Sequence, residues 1–393
     1  MKTLTERSRS LDVFRGLTVA LMILVNNPGS WSHVYTPLDH APWNGLTPTD
    51  WVFPFFLFAV GNALAIVMPR LTLQKILKRT LIVFLIGFLM NGYPWMYWIH
   101  DALTFRGWTW IGVHGNLDGW RVMGVLQRIA LAYGAAGLLA YFFPRKALPI
   151  SAVLLIGYWA LAHAFGSPGD PYSLEGFFGT HIDRFVFTPV HIYHGEGVPF
   201  DPEGLASTIP AIAQVLLGYW IGSQLILKGA REFPKKAIPA LLACLGLGLL
   251  WALDFPINKK IWTSSYVLVT TGLATFFLTT LVRFLDGRGD AISARTAAIR
   301  SAGIWKFFEA FGKNPLFIFV LSGVIPRTMR LIRIPDAGAT GGFLNPLEWF
   351  YAHFCAYFPG DPRNGSLVYA VILVGLYGWL AIFMDRKKVY IRV

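Results

Sequence analysis

Charge is scarce in this chain. Only 14% of its 393 residues are Asp, Glu, Lys or Arg, against roughly 25% in a soluble domain. The deficit excludes a water-solvated surface for a protein of this size, and a mean hydropathy of +0.51 agrees. Cysteine is nearly absent. Cys244 lies in an apolar run and Cys355 in a segment between runs, so the two are not expected to pair and say little about redox compartment. Strand-period alternation is missing, which excludes a β-barrel. No repeat of 20–50 residues, low-complexity linker or second domain is visible. Lys2, Arg7, Arg9 and Arg15 precede the first apolar stretch, but no small-residue cleavage site follows, so that stretch reads as a retained helix.

What is abundant is apolar sequence, 55% of the chain. Windows long enough to cross a bilayer, about 17–25 residues, fall at 11–27, 51–69, 76–93, 122–142, 148–165, 205–226, 237–253, 262–284, 307–325 and 366–384. The expected fold is all-α: a polytopic bundle of about ten transmembrane helices forming one domain over residues 1–393. Lys313 and Pro315 interrupt the ninth window. The net charge of +13 is topological rather than a nucleic-acid footprint. With the N-terminus inside, 23 of the 34 Lys and Arg fall in the inner segments. That bias predicts both termini in the cytoplasm.

On this topology all nine histidines lie outside: His33, His40, His100, His114, His163, His181, His191, His194 and His353. So do the longest loops, 28–50, 94–121, 166–204 and 326–365. His, Trp and Tyr favour the membrane interface in any case, so each histidine is open between interfacial and functional roles. In LDHAPWNGLTPTDWVFP, residues 38–54, Thr47, Pro48 and Asp50 read as the start of the second helix, with Asp50 closing a capping box. His40 has no such explanation. An imidazole titrates near about 6.5 and serves as base or nucleophile at neutral pH. Asn26 ends the first helix in VNNPG, as a C-cap or as an amide that polarises a carbonyl. Gln127 and Arg128 lie within the fourth span, where an arginine is functional, snorkelling or internally paired. Asp12 and Arg15 are spaced as an ion pair, although Arg15 could also meet a phosphate. Asp201 and Pro202 look like the start of the sixth helix, with Glu203 beside them. Asn258 and Lys259 precede the eighth helix on the same side, and Lys313 and Asn314 lie at the ninth. His191 and His194 form a weak candidate metal pair without a third ligand, and no metal is expected.

RSRSLDVFRGLTVALMILVNN, residues 7–27, and HAPWNGLTPTDWVFPFFLFAVG, residues 40–61, resemble the heparan-α-glucosaminide N-acetyltransferase family, particularly its bacterial members. GVLQRIALAY, DPEGLASTIPAI, FPINKKIWTSSYVL and FGKNPLFIFV resemble it further, while the last 70 residues match only in hydropathy. The resemblance implies an inner-membrane enzyme that passes an acetyl group from cytoplasmic acetyl-CoA, as co-substrate, to the amino group of a glucosamine-type sugar on the periplasmic side. It places the family's catalytic histidine on His40 and its catalytic asparagine on Asn26, and suggests a homodimer among membrane lipids; Asp50 is a third catalytic candidate beside its role as a cap. Arg15, Arg128 and Lys313 are candidates for the donor's phosphates. Asn44, Gln127, Asp201, Glu203, Asn258, Lys259 and Asn314 complete the candidate binding set. The alternative is an amino-sugar transporter or permease, but no inverted repeat supports it.

Overall fold

The computed structural model describes residues 8–99, 101–112, 115–286, 303–339 and 341–391. Lys2, Arg7, His100, His114, Arg288, Arg295, Arg300 and Arg392 lie outside those residues, as does most of the 286–303 segment. The described chain is mostly helical. In order come α1 (Arg9–Asn26), α2 (Val52–Val67), α3 (Leu73–Gly92), α4 (Val125–Phe142), α5 (Ala147–Phe165), α6 (Phe178–Phe187), α7 (Thr208–Trp251), α8 (Ser264–Leu281), α9 (Gly303–Lys313), α10 (Pro315–Met329), α11 (Pro346–Phe350) and α12 (Pro362–Arg386).

Each of the ten apolar windows falls on a helix. By length and composition, however, six helices among the described residues are apolar enough to cross a membrane, and seven if a bent pair counts as one span. The difference has physical causes. α1 carries Arg9, Asp12 and Arg15, and α3 carries Lys75, Lys78 and Arg79, so both are too charged to qualify. The windows 205–226 and 237–253 share the 44-residue α7, interrupted where Gly229 takes φ 71°. The ninth window is not one straight helix. α9 and α10 meet at 83°, because Pro315 supplies no N–H to continue the helix across Asn314.

The all-α expectation needs a second correction. Among the described residues three antiparallel two-stranded hairpins lie outside the helices: β1 (Met96–Ile99) with β2 (Ala102–Phe105), β3 (Thr109–Ile111) with β4 (Leu117–Gly119), and β5 (Ile334–Pro335) with β6 (Phe343–Leu344). These short pairs sit inside two of the expected loops, and β1–β2 registers Met96 opposite Phe105.

Helices approach closely where small residues allow it, as expected without a hydrophobic drive between apolar segments. A Cβ on Gly61 of α2 would lie 2.1 Å from Val215 O of α7, and one on Gly16 of α1 would lie 1.7 Å from Phe308 O of α9. The largest core cluster joins α2, α3, α4, α7 and α8. A second joins α1, α9, α10 and α12. Together they fix the two loops that matter next, the one before α2 and the one between α7 and α8.

Candidate active site

The segment before α2 folds as its local signals dictate. Pro48–Trp51 forms one 3-10 turn that leads into α2. Asp50 Oδ2 accepts from the backbone N–H of Thr47 at 3.1 Å, from the Thr47 hydroxyl at 3.0 Å and from the Ala41 N–H at 3.1 Å. This is the expected helix start. The other oxygen is not spent on the cap. Asp50 Oδ1 lies 2.7 Å from His40 Nδ1. The Asp50 side chain is 1% exposed while that of His40 is 41% exposed. A buried, fully ligated carboxylate therefore holds a reachable imidazole.

The loop between α7 and α8 closes over this pair. Asn258 Nδ2 donates to Asn44 Oδ1 at 3.1 Å, and the Gly45 N–H donates to Ile257 O at 2.8 Å. Asn258 also folds its own loop back, with Oδ1 accepting from the Ile261 N–H at 3.0 Å and its N–H donating to Thr263 Oγ1 at 3.0 Å. The Tyr266 hydroxyl donates to Asp50 O at 2.7 Å. These ties deliver Lys259. Its Nζ lies 3.4 Å from Asp50 Oδ1, 3.0 Å from His40 Nδ1 and 3.4 Å from His40 Nε2. Burial lowers the Lys259 ammonium below its ordinary range, against the opposing pull of Asp50. His40, Asn44, Asp50, Asn258 and Lys259 thus form one cluster from two loops about 200 residues apart in sequence.

A second polar layer adjoins it. Trp262 takes φ 53° and is 1% exposed. The Arg128 guanidinium packs 4.9 Å from its ring centroid and 5.9 Å from that of Phe53. Arg128 is fully buried. Its Nη2 donates to Ser207 Oγ and, at 3.4 Å, to Gly204 O, while Nε and Nη1 find no partner among the described residues. Gln127 has a structural task, its Nε2 donating to Val122 O at 3.0 Å.

Asp201 and Glu203 do not start a helix as expected. α7 begins at Thr208, and the two carboxylates are drawn to Arg121 instead. Arg121 reaches Asp201 Oδ2 through Nε at 2.9 Å and Oδ1 through Nη2 at 2.5 Å, and its Nη2 also bonds Glu203. Despite its burial, the two carboxylates raise the Arg121 guanidinium further above its usual range. Sequence reasoning missed Arg121; the available signal was that two adjacent carboxylates in an apolar chain demand a cation. It also missed Asp183. That side chain is 3% exposed and accepts from the Leu205 N–H at 2.9 Å. Burial, with Asp201 nearby, pushes its carboxyl up to about 7.

The remaining candidates are positioned by contacts of their own. Asn26 is exposed at the last position of α1, and no hydrogen bond joins it to His40 or Asp50 among the described residues. Arg15 bonds the Asp12 carboxylate, as its spacing predicted. Lys313 Nζ reaches Asp385 Oδ2 at 2.8 Å and Glu309 Oε1 at 3.1 Å. Asn314 is buried and pairs with Val389 O and the Ile391 N–H. Gly312 packs against Asp12, so Lys313 and Asn314 sit by the first turns of α1, away from its Asn26 end. The His191–His194 pair is not assembled. His191 is buried, stacks 3.9 Å from Trp108 and bonds Trp120 O at 2.9 Å, while His194 is exposed. No cluster of three or more metal-ligating side chains occurs among the described residues.

Chemically, a carboxylate on Nδ1 fixes the imidazole and leaves Nε2 as a base or nucleophile. The model of the family described as heparan-alpha-glucosaminide N-acetyltransferase, catalytic, matches residues 7–252. The chain belongs to this family. The heparan-alpha-glucosaminide N-acetyltransferase of Homo sapiens is 28% identical over 354 residues, covering 74% of this chain and 50% of the human protein. That of Mus musculus is 28% identical over 350 residues, covering 72% and 50%. The chain spans about half the length of the curated relatives it matches. His40 and Asp50 lie within the matched family region, and Asn258 and Lys259 lie just beyond it.

Proposed function

We propose that this chain is a single-domain integral-membrane acetyltransferase in which His40 performs the transfer. The observation that carries the reading is the 2.7 Å contact between an exposed imidazole and a buried carboxylate that also starts α2. The reaction joins an amine nitrogen to the acetyl carbon of acetyl-CoA and breaks the carbon–sulfur bond. His40 Nε2 takes the proton lost by the nitrogen and returns it to the departing thiolate, or itself carries the acetyl group between two half-reactions. Asn26 supplies an amide donor to the developing oxyanion. Lys259, Asn44 and Asn258 shape the mouth, and Arg15 and Arg128 line the donor's route. Lys313 and Asn314 we assign to anchoring the C-terminal segment rather than to CoA.

The charge distribution supports ten spans with both termini cytoplasmic, so that His40 faces the periplasm of a bacterial inner membrane. The acceptor is then a glucosamine-type sugar and the assembly a homodimer. The test is release of CoA from labelled acetyl-CoA by purified protein given glucosamine. Wild type releases CoA in an acceptor-dependent way and His40→Ala does not. Equal background hydrolysis by both overturns the reading. A mass gain of one acetyl on the His40 peptide without acceptor selects the two-step route.

A further inference from the structure

At the end of the bundle that carries His40, α10 runs out into three arginines spaced three apart, Arg327, Arg330 and Arg333. Arg327 is spent, its Nη1 donating to Met90 O at the end of α3. Arg330 is exposed at the C-cap position and its guanidinium has no hydrogen-bond or ion-pair partner among the described residues. Arg333 lies flat against Trp98, 4.0 Å from the ring centroid, and 5.4 Å from that of Phe343. Its nearby anion is Asp101 at 3.1 Å, on a side chain 93% exposed, a pairing worth little in water.

A cleft of about 300 Å³ opens here, lined by Arg330, Arg333, Ile332, Phe343, Asn345 and Glu348. Glu348 is the one carboxylate in that lining, and it is turned to the Asn345 N–H at 3.2 Å to close the start of α11. A fourth arginine stands close by. Arg106 of the hairpin region stacks 4.6 Å from Trp110 and 5.2 Å from Tyr97, and its Nε is buried without a partner. Burial pulls its guanidinium below the usual arginine range, with the Asp118 carboxylate opposing and Arg330 adding to the pull. Of the two arginines that line the cleft, Arg330 has no carboxylate partner among the described residues, and Arg333 has the exposed Asp101.

The surroundings identify the anion's source. Exposed Ile332 and Phe343 line the cleft, and exposed Leu103 and Phe105 face outward from β2. Aromatic and apolar side chains around the end of an apolar helix mark the headgroup level of a bilayer. Guanidinium forks match phosphate oxygens, and basic pockets beside membrane helices take anionic headgroups. We propose that the cleft between the end of α10 and the β5–β6 hairpin binds the phosphate of an anionic membrane lipid. The site uses residues 327–348, beyond the matched family region, and does not depend on His40 chemistry.

The full-length protein, purified in detergent, is incubated with phosphatidylglycerol or phosphatidylcholine and analysed by native mass spectrometry. Wild type retains phosphatidylglycerol about tenfold better than phosphatidylcholine. Arg330→Glu, an exposed substitution that leaves helix content unchanged, brings the two to parity, and Arg330→Lys retains part of the preference. Equal retention of both lipids by wild type, or an undiminished preference in Arg330→Glu, overturns the proposal. Inorganic phosphate is the control arm. Displacement of phosphatidylglycerol by millimolar phosphate overturns the lipid source and makes this a site for soluble phosphate.

Discussion

Asp50→Asn separates the two tasks of one carboxylate. In the native protein Oδ2 accepts three hydrogen bonds that start α2, while Oδ1 faces His40 Nδ1 at 2.7 Å and Lys259 at 3.4 Å. Asparagine retains one acceptor, and the cap demands it. The amide NH₂ then occupies the place of Oδ1 and donates to Nδ1. The imidazole proton is forced onto Nε2, the atom the reaction needs unprotonated. Turning a catalytic histidine into the wrong tautomer by this swap costs about ten-thousandfold in turnover in a well-studied hydrolase, or about 5.5 kcal/mol of transition-state stabilisation. The cap survives, so melting should fall by little more than the loss of the Lys259 pairing. Asp50→Ala, by contrast, loses the cap as well, about 1 kcal/mol. The assay is acceptor-dependent CoA release at saturating acetyl-CoA, with thermal unfolding in detergent measured in parallel. Asp50→Asn within threefold of wild-type turnover, alongside an inactive His40→Ala, would refute the reasoning and leave Asp50 a cap alone.

Three further outcomes follow from the surrounding network. Arg121→Ala strands the Asp201 and Glu203 carboxylates, 1% and 12% exposed. It should lower stability by about 3–5 kcal/mol, the usual loss when a buried pair is broken, and Arg121→Ala/Asp201→Asn/Glu203→Gln should recover much of that on a melting curve. Asp183 gives a pH signature. Its native carboxyl titrates near about 7 rather than 3.8, so the folded state holds the proton more tightly. The resulting stabilisation is full below about pH 4, declines as pH rises through 7 and is flat above, at most about 4 kcal/mol in all; Asp183→Asn should flatten the melting-temperature profile between pH 5 and 8, and a parallel decline in the variant would exclude Asp183 as the source. Gly312→Val places a Cβ 1.8 Å from Asp12 O and should abolish a monodisperse size-exclusion peak, whereas Gly246→Ala, with open space at its Cβ, should leave it intact.

Helix positions were legible because apolar length is a local property. Every window found a helix, and Thr47-Pro48 marked the entry to α2 as written. The errors arose where one residue outweighs a window average. Gly229 interrupts α7 inside the charged gap that the windows already left between 226 and 237, whereas Pro315 bends the ninth window by removing a donor that hydropathy does not register. The hairpins at 96–119 were invisible because each strand is three or four residues long, too short for alternation to rise above an aromatic background.

The site was half legible for a different reason. His40 stood out because its neighbours explained Asp50 and did not explain it. The resemblance drew attention to the same residue. The sequence marks Asp50 as a cap, whereas the structure shows one oxygen on the cap and the other against His40. Partners far apart in sequence are beyond any local signal. Nothing in NKKIW states that Lys259 will lie 3.4 Å from Asp50, and nothing in GWRVMG states that Arg121 will claim Asp201 and turn an expected helix start into an ion pair. What the sequence does impose is a balance that each buried charge must meet, since an unpaired one in an apolar bundle costs several kcal/mol. By that reasoning Asp201 and Glu203 required a cation and found Arg121. Arg128 is a buried charge with donors still open among the described residues, Nε and Nη1 beside Trp262.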